Sequence, residues 1–123
     1  MTEAVHVDWL AEHAQGLSVR TIAKRHAVSR STVHRTILKE GSRLIGELEN
    51  DLRVAELREA EGGQANWPTC LIPPQIEPDW RAAMAMFFWA RDRLVERGWP
   101  IEVITRQVPG GGTAFMLTIG RDQ

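Results

Sequence analysis

The stretch at residues 16–37, GLSVRTIAKRHAVSRSTVHRTI, decides the fold of the first third of this chain. It predicts two short helices joined by a tight turn at residues 26–28. Ser18 and Ser29 each precede a helix-forming run, where a serine hydroxyl caps the free amides of a helix N-terminus. The second helix then carries polar and basic side chains on its outer face. A helix prepared in this way is suited to enter the major groove of DNA.

Small and apolar residues within this stretch are spaced as two crossing helices require. Ala23 is small enough for a close helix crossing, and Val28 is predicted to fill the turn from inside. A preceding helix is expected at about residues 5–14, ended by Gly16. The residues expected on the buried faces of the two later helices are Val19, Ile22, Ala23, Val33, Ile37 and Leu38.

Charge is distributed unevenly along a chain whose formal net charge is only −1. Residues 17–39 contain six cations and no acid, whereas acids outnumber cations in residues 41–61. The cations are Arg20, Lys24, Arg25, Arg30, Arg35 and Lys39. A phosphate backbone responds to the local field rather than to the mean charge, so the first module is suited to DNA.

The same residues resemble the helix-turn-helix of the resolvase/invertase (Hin-like) class, which also occurs in transposases and small phage regulators. The resemblance covers residues 5–38 and is carried by Gly16, Ser18, Arg20, Ile22-Ala23, the run at 28–33 and Arg35. It implies double-stranded DNA as the partner. The residues that it implies as base readers are Arg30, Ser31 and Arg35. The phosphate contacts are expected from Arg20, Thr21, Lys24, Ser29, Thr32, His34 and Thr36.

Two departures from that class limit what carries over. Ala27 stands in the turn where the class often has glycine, and alanine would cost about 1 kcal/mol there if the position needs a positive φ. The catalytic domain of the serine recombinases is absent, and 123 residues leave no room for it. Recombinase chemistry is therefore not implied.

Beyond residue 40 the pattern predicts helices and a hairpin without a recognisable motif. A helix at residues 42–61 carries an apolar seam, which is either an oligomerisation surface or the buried face of an ordinary amphipathic helix. A proline-rich connector follows at 63–78. A strongly apolar helix at about 78–97 and strands at 101–108 and 113–119 complete the chain. The candidate oligomerisation residues are Ile45, Leu48, Leu52, Phe87, Phe88 and Trp89.

The predicted fold class is mainly α with a C-terminal β-hairpin (α+β). The predicted domains are a helix-turn-helix domain at 1–40, a connecting helix at 41–62, a connector at 63–78 and a helix-plus-hairpin unit at 79–123. The hairpin is expected to pack on the apolar helix or to mediate dimerisation rather than to act as a DNA-binding wing, because the hairpin contributes few cations. The apolar helix is more often core than a groove for a protein partner.

Composition argues against several other classes. Cys70 is the only cysteine, so no disulfide can form within the chain, and the four histidines are too scattered for a metal site. No nucleophile–base set, paired carboxylates or phosphate-binding loop stands out, so we expect neither an enzyme nor a cofactor. We find no secretory signal and no apolar run long enough for a membrane span, and we therefore expect a cytoplasmic protein.

These observations predict a sequence-specific DNA-binding transcriptional regulator of phage or mobile-element type. We expect a homodimer that represses by occupying an inverted-repeat operator, since one helix-turn-helix reads only a few base pairs. One alternative is a viral small terminase subunit, in which a ring of subunits recognises DNA for packaging. Another is an adaptor that binds DNA through its N-terminus and a protein through its C-terminal unit.

Overall fold

The computed structural model describes residues 3–74 and 78–120 of the chain. It is mainly helical, with a small antiparallel sheet near the C-terminus, so the predicted fold class is confirmed. The elements in chain order are α1 (Glu3–Ala14), α2 (Val19–His26), α3 (Arg30–Ala60), β1 (Thr69–Ile72), α4 (Pro78–Glu96), β2 (Ile101–Gln107) and β3 (Thr113–Ile119).

The third helix runs without a break from Arg30 to Ala60, so the separate helix predicted at 42–61 is wrong. At 31 residues it is about 46 Å long. Gly41 lies inside it, and the predicted domain boundary at residue 40 falls within the same helix. Glycine at this position admits the indole of Trp89 from α4, because a Cβ there would lie only 2.8 Å from Trp89 Cη2. Gly41 therefore serves close packing and does not end the helix.

The sheet has three strands in the order β1-β3-β2, all antiparallel. The predicted hairpin is confirmed as β2 and β3, with Ile101 opposite Ile119 and Gln107 opposite Thr113. The strand β1 was not predicted, since proline content led us to expect a plain connector there. Its register places Thr69 opposite Met116 and Ile72 opposite Thr113.

One continuous core joins the N-terminal helices to the C-terminal unit. Its first part lies around the fully buried Trp9, Ile22 and Val33, and its second part lies around Leu52, Leu94 and Leu117. Leu44 and Trp89 contact both parts. The helix-turn-helix therefore packs against α4 and is not a separate domain joined by a flexible linker.

Two apolar residues do not lie where the pattern placed them. Leu38 is 56% exposed, although it was predicted on the buried face of α3. Val28 is 37% exposed, so it does not plug the turn from inside. The buried face of α3 follows Val33, Ile37 and Gly41, and Leu38 lies one residue past that line.

A polar cluster links the middle of α3 to the loop after α4. Glu49, only 8% exposed, accepts hydrogen bonds from Arg97 Nε at 2.9 Å, from the second Arg97 nitrogen at 3.0 Å and from Trp99 Nε1 at 2.9 Å. Arg53 lies over the Trp99 ring, 5.4 Å from its centre. The Trp99 hydrogen bond and the Arg97 guanidinium hold the pKa of Glu49 below its usual 4.5, against the opposing effect of burial.

None of the helices in the described part of the chain is both long and apolar enough to cross a membrane.

Candidate nucleic-acid interface

Two serine-capped helix N-termini form the frame of the candidate interface. Ser18 Oγ accepts from the Thr21 amide at 3.1 Å and donates to Thr21 Oγ1 at 2.9 Å. Ser29 Oγ accepts from the Thr32 amide at 3.2 Å and lies 2.7 Å from Thr32 Oγ1. Both predicted caps are confirmed. Each leaves the remaining free amides and the positive end of a helix dipole facing solvent.

A shallow hollow of about 820 Å³ lies between these two N-termini. It is lined by Ser18, Val19, Arg20, Ser29, Arg30, Ser31 and His34. The hollow brings residues from the start of α2 and the start of α3 onto one surface. Hydroxyl groups, two guanidinium groups and an imidazole make this surface suited to an anionic ligand such as the phosphate backbone.

The three predicted base-reading residues all lie on the solvent side of α3. Arg30, Ser31 and Arg35 are exposed, and Ser31 and Arg35 are one turn apart on the same helical face. Neither arginine forms an ion pair with any residue in the 3–74 and 78–120 ranges. Their guanidinium groups are therefore available for a ligand, and their base-reading role stays a prediction.

The predicted phosphate contacts fall into two groups. The exposed group consists of Arg20, Thr21, Lys24, Ser29 and His34. The half-buried group consists of Thr32 and Thr36. The hydroxyls of Thr21, Ser29 and Thr32 are already engaged in the caps described above. Cap residues of this kind position amides for a phosphate more than they contact it, so the exposed cations are the stronger candidates.

The turn between the two helices contains the unusual residue expected from the sequence. Ala27 has φ 55° and ψ 44°, and it is the one non-glycine residue with positive φ in the described part of the chain. The turn therefore does require a positive φ at residue 27, and the alanine there adopts the left-handed conformation. The Val28 amide closes the turn by donating to Ala23 O at 3.0 Å.

Glu12 of α1 was not identified from the sequence as a partner of residues at the end of α2. Glu12 of α1 contacts His26 Nε2 at 2.9 Å and an Arg25 guanidinium nitrogen at 3.8 Å. The His26 ring also lies 5.9 Å from the Trp9 ring. These contacts tie the end of α2 to α1. Arg25 therefore differs from the unpaired cations of the interface, although the sequence grouped it with them.

The predicted oligomerisation residues lie largely within the core of a single chain. Ile45 and Leu52 are 4% and 0% exposed, so their side chains are used inside the fold and not offered to a second copy. The physical reason is that β3 and α4 cover this face of α3, which supports the amphipathic-helix interpretation of the seam. Leu48 is half-buried against the same core.

The aromatic residues of α4 are also engaged within the chain. Phe87 and Trp89 pack on the core, and the Phe88 ring meets the Phe115 ring of β3 edge to face at 5.3 Å. These rings are half-buried and hold α4 between the helix-turn-helix and the sheet. Within the ranges that the structure describes, no three His, Cys, Asp or Glu residues cluster as a metal site would require.

The family comparison agrees with this geometry. Residues 7–38 match the model of the IclR helix-turn-helix domain, a span of α1, α2 and the start of α3. This segment is therefore a helix-turn-helix DNA-binding domain of IclR type, and the match does not confirm the resolvase/invertase type. No curated protein and no solved structure matches the chain.

Proposed function

From the helix-turn-helix DNA-binding domain at residues 7–38, we propose that this chain is a sequence-specific transcriptional repressor. It acts as a homodimer on an inverted-repeat operator whose half-sites lie about one helical turn (~34 Å) apart. It carries out no reaction of its own and needs no cofactor. The setting in a phage or mobile element rests on the resemblance of residues 5–38 alone.

The observation that carries this proposal is the exposed outer face of the first two turns of α3. Arg30, Ser31 and Arg35 face solvent while Val33 and Ile37 of the same turns are buried. Buried contacts on one side fix the direction of the helix, and free hydrogen-bonding groups stand on the other. An arginine can bind guanine O6 and N7 through two hydrogen bonds, which gives sequence preference as well as affinity.

A second copy is proposed because the interface of one chain is small. One helix-turn-helix reads few base pairs, and the chain as a whole is close to neutral. Affinity must therefore come from a second, linked recognition helix rather than from bulk positive charge. Repression is the simpler outcome, since bound protein blocks a promoter without any contact to polymerase.

The proposal is tested with duplexes selected from a random-sequence library by the full-length chain. We expect the selected sites to be inverted repeats, and light scattering of the complex to give two chains per site. Transcription from a promoter that contains the site should fall as protein is added. Unselective binding would contradict the proposal, and a ring of about eight subunits would favour the terminase-like alternative.

A further inference from the structure

The strand β2 forms an open edge of the sheet. It pairs with β3 on one side, and no other strand in residues 3–74 and 78–120 pairs with its second side. The opposite edge, β1, is only four residues long and lies between Pro68 and Pro73, which is how proteins protect an edge. The edge at β2 is seven residues long and contains no proline. It therefore offers a row of backbone groups to another strand, apart from the Ile101 amide, which donates to Trp99 O.

The hydrogen-bonding phase of β2 can be determined from the ends of the hairpin. Val108 donates its amide to Gly112 O, and Gly120 donates its amide to Pro100 O. Bonded and non-bonded residues alternate along an antiparallel ladder, so the even-numbered residues of β2 bond to β3. The residues whose amides and carbonyls point away from β3 are Ile101, Val103, Thr105 and Gln107.

Side chains alternate in the same way between the two faces of the sheet. Ile101 and Val103 pack into the core against the helices. Glu102, Ile104 and Arg106 therefore project from the opposite face. Glu102 and Arg106 are exposed, lie about 13 Å apart along the strand and form no ion pair with any described residue.

We infer that a second copy of this chain pairs with β2 edge to edge, antiparallel, across a two-fold axis at Ile104. This inference deepens the proposed function by naming the surface that joins the two copies. In this register Glu102 of each chain faces Arg106 of the other. The sequence IEVITRQ is thus complementary to itself in charge, as a two-fold interface requires.

The hydrogen-bonding phase is compatible with the register that the charges select, because a two-fold axis through any residue of β2 pairs outward-directed residues with each other. Antiparallel pairing about Ile104 places Val103 opposite Thr105 of the other copy and Ile101 opposite its Gln107. Val103 and Thr105 form rungs with both hydrogen bonds. The Ile101 amide already donates to Trp99 O at 2.9 Å, so the rung between Ile101 and Gln107 has the single bond from the Gln107 amide to Ile101 O. Ile104 and the two charge pairs fall on the non-bonded rungs, where side chains come closest. A six-stranded sheet results.

The surface beside the β2 edge is mixed in character. Val95 of α4 is 49% exposed and shares a hollow with Ile101 at the start of β2, and the other residues that line this hollow are charged: Arg91, Asp92, Arg93 and Glu96. On the outer face, Ile104 and Met116 line a second hollow together with Glu102 and Arg106. Charges on an exposed edge ordinarily prevent pairing. Here the two charges are opposite and so placed that a second copy neutralises both.

The inference is tested by charge reversal in the full-length chain. Glu102→Arg and Arg106→Glu each place like charges together twice in the dimer, so we expect each to weaken dimerisation on the order of tenfold. The double variant and an equimolar mixture of the two single variants both restore opposite charges and should dimerise as the original chain does. Sedimentation equilibrium without DNA measures all four samples.

The matched control is the exposed ion pair between Arg43 and Glu47 on α3, 3.5 Å apart. Reversing either of these charges should leave dimerisation unchanged. If the β2 reversals have no more effect than these controls while the chain stays dimeric, the β2 interface is wrong but the proposed dimeric repressor is not. If the chain is a monomer both free and on its selected DNA, the dimer itself is wrong.

A cross-link provides a second, independent readout. In a Cys70→Ser background, Ile104→Cys places two thiols opposite each other on the two-fold axis, and we expect a disulfide-linked dimer on mild oxidation. Leu71→Cys is the control, since Leu71 is 58% exposed on the other edge strand. A cross-link through residue 71 but not 104 would overturn the assignment in favour of the β1 edge.

Discussion

Gly41 of α3 lies directly against the indole of Trp89 of α4. A Cβ at Gly41 would lie 2.8 Å from Trp89 Cη2 and 3.6 Å from its Cζ2. Trp89 contacts both parts of the core, so this contact is one of those that join the helix-turn-helix to the C-terminal unit, together with the packing of α1 on α4. The packing of α3 on α4 therefore requires that residue 41 has no side chain.

Gly41→Ala should destabilise the chain even though alanine is the better helix former. Alanine gains up to about 1 kcal/mol in helix propensity, but the new methyl group forces Trp89 to move, at about 1–3 kcal/mol. Gly46 is the matched control, because it lies in the same helix with nothing within 4 Å of its Cβ position. Gly46→Ala should stabilise the chain through helix propensity alone, because its new methyl group meets no other atom.

The measurement is urea unfolding of the two variants beside the original chain. We expect Gly46→Ala to be more stable than the original, and Gly41→Ala to be less stable than Gly46→Ala by about 1–3 kcal/mol. Equal stabilisation by both substitutions would mean that the contact between α3 and α4 is looser than described.

Glu49→Gln should lower stability at neutral pH and should do so less in acid. The carboxylate accepts from Arg97 and Trp99, and the substitution removes the charge and turns an amide group toward a guanidinium. We expect a loss of about 1–2 kcal/mol at pH 7. The pKa of Glu49 is lowered in the folded chain, so its contribution is complete above about pH 4.5 and is lost as the pH falls further.

Unfolding free energies measured from pH 7 down to pH 3 check this dependence. The difference between the original chain and Glu49→Gln should be constant down to about pH 5 and then shrink. Glu47→Gln serves as the control, because Glu47 forms an exposed ion pair that contributes at most about 1 kcal/mol. A difference that grows in acid would contradict the lowered pKa.

Ala27→Gly should stabilise the chain, in contrast to most replacements of alanine by glycine. Ala27 is in the left-handed region at φ 55°, which costs an alanine about 1 kcal/mol relative to glycine. Glycine also increases the conformational entropy of the unfolded chain, which offsets part of this stabilisation. We therefore expect the free energy of unfolding to rise by less than about 1 kcal/mol. Ala60→Gly, in the last turn of α3, should be destabilising. Thermal unfolding of both variants checks this: the melting temperature should rise for Ala27→Gly and fall for Ala60→Gly.

The parts of the fold that depend on neighbouring residues could be predicted from the sequence. Both caps, the turn at Ala27 and the hairpin follow from side chains within a few residues of one another. A helix cap can be predicted from a short stretch of sequence, because Ser29 accepts a hydrogen bond from an amide only three residues away. The same locality explains why the helix-turn-helix was recognised, although its type was not.

The parts that depend on distant residues could not be predicted. The sequence predicted a new helix from residue 42, whereas the structure has one continuous helix in which Gly41 packs against Trp89 of α4. Likewise β1 exists because Thr69 and Ile72 find β3 more than forty residues later. The seam at Ile45 and Leu52 had the pattern of an interface, but only the folded chain shows that its own C-terminal unit covers it.

Arg35→Ala should weaken binding to the selected DNA site by about 1–3 kcal/mol and should reduce the preference at one base position. Lys24→Ala should weaken binding to all duplexes about equally and should lower the salt dependence, as expected for a phosphate contact. Both side chains are exposed, so neither change should alter stability by more than about 0.5 kcal/mol.

Arg43→Ala is the control for this pair, since Arg43 is an exposed cation of the same helix that lies outside residues 7–38. Fluorescence anisotropy with the selected duplex and with a scrambled duplex, each at two salt concentrations, separates the three variants. We expect the ratio of the two affinities to fall for Arg35→Ala and to stay constant for Lys24→Ala and Arg43→Ala. A constant ratio for Arg35→Ala would show that this residue does not read bases, and Arg30 and Ser31 would then be tested next.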